Sequence, residues 1–241
     1  MLKISSNVKK AYTLVELSIV LVIISIFLSS GLNIFTNNIV QTKTVNTKEK
    51  LNIIYKSLAE YLMKNKKLPC PINLDIAKDT NSNYAFINSN CATVSNTINI
   101  GALPARDLGL SSNIAEDDFG NKILYVIDNR LTPSSSTFNA TNFSNGTITI
   151  SNDTSDAIKP VLLLLSFGAN SCGSYKTNGV QNKFCDNELD GTDQQENSNN
   201  DNIFTTSATN PKFDDIVLTK TYYDFLQELN LTHTQAQAYF K

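Results

Sequence analysis

The first strong pattern along the chain is an apolar run, Leu14 to Phe35, interrupted by one carboxylate at Glu16 and a few serines. The 24 residues from Tyr12 to Phe35 rise roughly 36 Å as a helix, against a hydrocarbon core of about 30 Å, and so predict a membrane-spanning segment over 12–35. Beyond it the chain turns polar, and apolar residues recur at Leu51, Ile54, Tyr55, Leu58, Tyr61 and Leu62. That spacing puts one apolar stripe on a helix. With no strong breaker before Pro69, the pattern predicts one helix from about Tyr12 to about Asn65, bent near Gly31. Leu68-Pro-Cys-Pro71 stops it, since each proline lacks a donor and excludes helical geometry at the residue before it.

After the prolines the apolar positions fall in short runs separated by Asn-, Ser-, Thr- and Gly-rich stretches. Lys122–Asp128, Thr147–Ser151, Val161–Ser166 and Ile216–Thr221 read as strands, the third, with its four leucines, as a central one covered by the stem helix. Ile100–Leu110 reads as a loop with a short turn, Asp117–Asn121 as an Asp-rich turn, and Thr132–Gly146 and Gly191–Asp201 as loops. Tyr222–Phe240 reads as helical, broken near Leu231 and restarted by Thr232, with Gln235 three residues on in capping-box spacing. The single histidine, His233, falls in that first turn as an exposed helix residue. The fold class is α+β: a long N-terminal helix on a small antiparallel sheet.

Composition narrows this little. With 20 basic and 22 acidic residues, formal charge −2, no excess of Lys and Arg pulls the chain toward nucleic acid. Four cysteines, Cys70, Cys91, Cys172 and Cys185, contain no C-x2-C zinc knuckle. Their even number behind a membrane segment points to an oxidising compartment and disulfides. A Cys70–Cys91 bridge would staple the loop after the helix, and Cys172 and Cys185 bracket a second segment. No nucleophile elbow, phosphate loop or second histidine motif offers catalysis. Glu196, Asp201, Asp214 and Asp215 lie in or beside the polar loop before the last strand, and read either as calcium ligands or as a solvated acidic loop whose aspartates cap turns. Lys3, Lys9 and Lys10 precede the apolar run, while 36–42 carry no charge. The positive-inside rule keeps the amino end cytoplasmic and the bulk outside.

Glu16 is costly in a spanning helix and is by default a functional residue. In its context, Lys10-Ala-Tyr-Thr-Leu-Val-Glu-Leu17, it resembles the cleavage and methylation signature of type IV prepilins and type II secretion pseudopilins: a short basic leader, a small residue, an aromatic, and a glutamate fifth after the cut. Ala11 stands where glycine is usual and Tyr12 where phenylalanine is usual. The resemblance implies a leader 1–11, cut by a prepilin peptidase between Ala11 and Tyr12 with methylation of the new amine, a membrane half 12–35, a stem 36–67, and a pilin-like periplasmic domain 68–241. It implies a structural role at the bacterial inner membrane, in a pilus or pseudopilus, with other pilin subunits and an inner-membrane assembly platform as partners, and Glu16 as an assembly residue. It also extends, more weakly, to Leu68–Pro71, Gly101–Gly109, Asp118–Asn121, Leu165–Asn170 and Phe213–Val217, and it is from pseudopilins that the calcium expectation draws its analogy.

Overall fold

The computed structural model describes residues 13–78, 84–85, 91, 97–133, 145–151, 159–186, 191–208, 210 and 212–240; within its first helix, the side chains of 28–35 are outside the description. Helix α1 runs unbroken over Leu14–Asn65. Two compact units divide the chain, 1–42 and 43–241, so the boundary falls inside this helix.

In the first unit every described side chain from Leu14 to Phe27 is exposed, which suits an apolar surface made to meet something other than water. Among the described residues no helix is long and apolar enough to cross a membrane. The part of the apolar run whose side chains are described ends at Phe27, about 21 Å along the helix, short of the hydrocarbon core. Leu28–Phe35, which would complete the expected span, fall outside that part.

The second unit begins where the apolar stripe begins to be buried. Leu51, Ile54, Tyr55, Leu58 and Leu62 are at most 4% exposed, whereas Tyr61 is only half-buried. The helix ends on Lys66 in a left-handed conformation (φ 62°), its N–H returned to the Leu62 carbonyl at 2.8 Å, a termination more often given to glycine. Tyr125 Oη then donates to the Pro69 carbonyl at 3.0 Å, which ties the proline segment to the sheet.

That sheet is four-stranded and antiparallel in the order β1-β2-β4-β6, built from β1 (Ile98–Ala102), β2 (Leu124–Asp128), β4 (Leu162–Ser166) and β6 (Ile216–Lys220). Alternation along the strands divides the core. Tyr125, Ile127, Leu162 and Leu164 face the stem with Leu58 and Leu62. Ile98, Ile100, Leu124, Val126, Leu163 and Leu165 face away, under Ile148, Phe167 and Phe204. Both faces are covered, which is why the leucine run of β4 is continuously apolar, and it is central as expected. A second, two-stranded parallel sheet joins β3 (Thr149–Ile150) to β5 (Ile203–Phe204).

Three expectations are corrected. Ile98–Ala102, assigned in part to a loop, is strand β1 and buried throughout: Ile98 and Ile100 alternate with Asn99 and Gly101, but the run is short and Gly101 and Pro104 break it up, so it reads as a loop. Within Gly191–Asp201 a short helix α2, Thr192–Asn197, replaces the loop. His233 is half-buried rather than exposed: its ring lies 5.9 Å from that of Tyr222 and its Nε2 is 2.9 Å from Gln237 Nε2. The C-terminal helices α3 (Tyr222–Glu228) and α4 (His233–Tyr239) break and restart where expected, α4 with the Thr232–Gln235 capping box.

Candidate functional site

Three places carry the residues singled out in the sequence. At the amino end the chain is described from Thr13, so Ala11 and Tyr12, the expected cleavage pair, lie outside the described residues. Glu16 lies inside them, one turn into α1. Its Oε2 accepts from Thr13 N at 2.8 Å and from Thr13 Oγ1 at 3.0 Å, while Glu16 N donates to Thr13 Oγ1 at 3.2 Å. This is a capping box, in which two helix-end donors are satisfied reciprocally. In the single subunit the carboxylate therefore has a local partner, and the negative charge sits at the positive end of the helix dipole. The Thr-x-x-Glu spacing was readable in the sequence and is a second use of the same glutamate.

The second place is the turn Asp117–Asn121, where the expectation of a turn holds. Asp117 Oδ1 accepts from Phe119 N at 3.0 Å and Asn121 N at 2.8 Å, and its Oδ2 from Ser166 Oγ at 2.6 Å. Burial pushes this carboxyl above its ordinary range despite those bonds. Its neighbour Asp118 points to the stem instead, 2.6 Å from Lys50 Nζ and 2.9 Å from Asn46 Nδ2. With Thr47 Oγ1 accepting from Asp118 N, these bonds fix Asn46–Lys50 of the helix against this turn. Next to it Lys122 is buried, an amine that sequence patterning placed on a strand without a role. Its Nζ donates to the carbonyls of Leu74 and Ile76 and lies 5.4 Å over the Tyr84 ring. Burial draws it down to about 8. Its amine does for this loop what a bound cation does elsewhere.

The third place holds the expected acidic set. Asp214 and Asp215 are brought into one network with two amides that the sequence reading missed, Gln194 and Asn197 of α2. Gln194 Nε2 donates to Asp214 Oδ1, Asn197 Nδ2 donates to Asp215 Oδ2 at 2.8 Å, and Asn170 N donates to Asp214 Oδ2 at 2.9 Å. Asp215 is buried, and burial raises its carboxyl to about 7, helped by the neighbouring charge of Asp214. Asp201 instead caps its own turn, accepting from Ile203 N at 2.7 Å and Asn199 Nδ2 at 3.1 Å, and Glu196 sits half-buried on α2. Among the described residues no group of three or more His, Cys, Asp or Glu is placed to hold a metal ion. Asp214 and Asp215 are thus held by the amides of α2, whereas Asp201 caps a turn.

The cysteines pair as Cys70–Cys91 and Cys172–Cys185. The second bridge closes a loop whose tight turn at Gly179 (φ +83°) packs on the backbone of Asp75: a Cβ there would lie 2.0 Å from the Asp75 carbonyl oxygen. Phe184 and Val180 on this loop are 70% and 56% exposed.

Residues 6–32 match the family model of the prokaryotic N-terminal methylation motif, the prepilin-type signal of type IV pilins and pseudopilins. This signal marks membrane-anchored pilins that are substrates of prepilin peptidase, and points to a structural subunit rather than an enzyme. No curated protein and no solved structure matches the chain.

Proposed function

We propose that this chain is a structural subunit of a type IV pilus or a type II secretion pseudopilus. In this account a prepilin peptidase cuts between Ala11 and Tyr12 and methylates the Tyr12 amine. Residues 12–35 hold the subunit in the inner membrane with its head in the periplasm, and an inner-membrane platform assembles it with other pilin subunits through the N-terminal helix. The observation that carries this is the match of residues 6–32 to the methylation motif, with Glu16 in the first turn of a 52-residue helix. A long helix packed on a four-stranded antiparallel sheet supports this reading, as do the exposed apolar side chains between Leu14 and Phe27.

The chemistry at the amino end follows from charge balance. Cleavage removes Lys3, Lys9 and Lys10 and leaves one new cation, an α-amine with an ordinary pKa near 8. Moving an apolar helix from lipid into a bundle of such helices gains little, since both surroundings are apolar. Direction and register then come from packing and from the pairing of Glu16 with the amine of a neighbour's Tyr12. The Thr13 cap takes both its carboxylate bonds on Oε2, so Oε1 can meet that amine while the cap stays closed. A Glu16→Val variant is expected to insert in the membrane and be processed, yet to give no filaments. Normal filaments from it would remove Glu16 from the mechanism. The exposed Phe184 and Val180 on the stapled loop favour a second reading, a minor subunit at the filament tip that binds through that loop.

A further inference from the structure

Asparagine is followed by glycine at two steps of the chain, Asn145–Gly146 and Asn178–Gly179. The pair matters chemically because the backbone nitrogen after an asparagine can attack its side-chain carbonyl carbon, and glycine alone puts no Cβ in the way. The fold holds the two steps differently.

Asn178 is exposed at the tip of the loop closed by Cys172–Cys185. Tyr175 and Gln181 bridge in the antiparallel sense, and Lys176 N donates to the Val180 carbonyl at 2.9 Å, so the loop is a hairpin turning through 177–179. At this turn Val180 N donates to Asn178 Oδ1 at 3.1 Å, which folds the carboxamide back over the Gly179 peptide. The same N–H is a donor for the oxyanion that forms on Oδ1 as the carbon turns tetrahedral. Asn145 is also exposed, but other segments clamp its step. Lys159 N holds its Oδ1 at 2.5 Å and Arg130 holds its backbone carbonyl at 2.8 Å. Gly146 is buried, and a Cβ there would lie 1.8 Å from the Pro160 carbonyl oxygen. Both glycine N–H groups donate to a carbonyl at 3.0 Å, Gly146 to Lys159 and Gly179 to Lys176. Ring closure costs that bond in either place, so the clamp is what separates the two.

We propose that Asn178–Gly179 is a self-modification site, which converts to aspartate and isoaspartate in the folded protein while Asn145–Gly146 is spared. Hydroxide takes the Gly179 proton, the nitrogen bonds to Asn178 Cγ, and the Cγ–Nδ2 bond breaks as ammonia leaves with a proton from water. Water then opens the succinimide at either carbonyl, giving aspartate or, where the main chain now runs through the side chain, isoaspartate. One water is consumed, one ammonia is released, and nothing is oxidised or reduced. The change falls where it alters packing. Gly179 lies against the Asp75 carbonyl with no room for a Cβ, and Lys78 N donates to the Thr177 carbonyl at 2.9 Å. The loop beneath is the one whose Leu74 and Ile76 carbonyls hold Lys122. A new carboxylate, and in isoaspartate an extra main-chain methylene, detaches the tip from 74–78 while the disulfide keeps the hairpin on the head. None of this rests on the filament reading.

The test ages the detergent-solubilised full chain at pH 8 and pH 5 and reads its peptides by electron-transfer mass spectrometry, which tells isoaspartate from aspartate. At pH 8 Asn178 is expected to convert about tenfold faster than Asn145, to slow at pH 5, and to yield both products. In urea with the disulfides reduced, the clamps are gone and the two steps should convert at like rates. Val180→Pro deletes the donor to Oδ1 and should slow Asn178 about tenfold; the comparison of folded with unfolded protein needs no variant. In converted protein Lys78 N–H should lose its protection from hydrogen exchange. A folded-state ratio no greater than in urea, aspartate without isoaspartate, or a Val180→Pro rate equal to the parent's overturns the site. Protection retained at Lys78 after conversion overturns the detachment of the tip.

Discussion

Replacing Asp215 with asparagine should stabilise the protein at alkaline pH and do almost nothing in acid. Asp215 is 5% exposed, and its carboxyl is raised from an ordinary 3.8 to about 7, first by burial and then by Asp214. At about 1.4 kcal/mol per tenfold, holding it ionised costs the folded state about 4 kcal/mol at and above neutral pH. Because the folded value is raised, the contribution to stability is full below pH about 4 and is lost as pH rises through about 7. Asparagine keeps the shape and the acceptor for Asn197 Nδ2 while removing the charge, so the difference between variant and parent should grow from near zero at pH 4 to at most about 4 kcal/mol at pH 8. The measurement is urea unfolding of the detergent-solubilised full chain at several pH values, followed by tyrosine fluorescence. Asp117, also raised, adds the same slope to both proteins and cancels in the difference. A difference that is flat with pH, or an Asn variant less stable at pH 8, would refute the burial argument. Calcium added at pH 8 distinguishes the remaining use of these carboxylates: an ion bound at Asp214 and Asp215 would restabilise the parent and not the variant, whereas the amide network alone predicts no change.

Two further outcomes follow from the geometry. Glu16→Gln keeps an acceptor for Thr13 N and so keeps the capping box, but carries no charge; if ion pairing drives assembly, this variant should fail to form filaments as Glu16→Val does, while a filament-competent Gln variant would assign Glu16 to capping. Replacing Cys172 and Cys185 together by alanine opens a loop of 13-residue separation and should cost about 3 kcal/mol on the chain-entropy model, read as a lowered urea midpoint; an unchanged midpoint would show that the packing of Gly179 on Asp75 holds the loop unaided.

What the sequence made legible was what periodicity or a local bond encodes. The stripe from Leu51 to Leu62, the leucine run of β4, the proline stop and the Thr232–Gln235 cap each need only neighbours along the chain, and each is where the pattern put it. Strand β1 was missed because only Ile98 and Ile100 alternate, with Asn99 and Gly101 between them and Pro104 close behind, a pattern too short to stand out from a loop. The amide network at Asp214 and Asp215 was not legible, because its partners, Gln194 and Asn197, come from a helix of six residues too short to show a period. Lys122 is the same lesson with one residue: a lysine within an apolar strand says nothing about which carbonyls it will meet. Glu16 was legible twice over, as a misplaced charge and as the end of a capping box, and only the second use lies within a single subunit.

The central claim is that the chain is processed as a prepilin. Intact-mass and amino-terminal peptide spectrometry of the protein from cells with an active prepilin peptidase tests it directly. The account predicts a mature chain beginning at Tyr12, one methyl group heavier at its α-amine, and accumulation of the full 241-residue form when the peptidase is removed. A chain that keeps Met1 and Lys10 in the presence of the peptidase would contradict it.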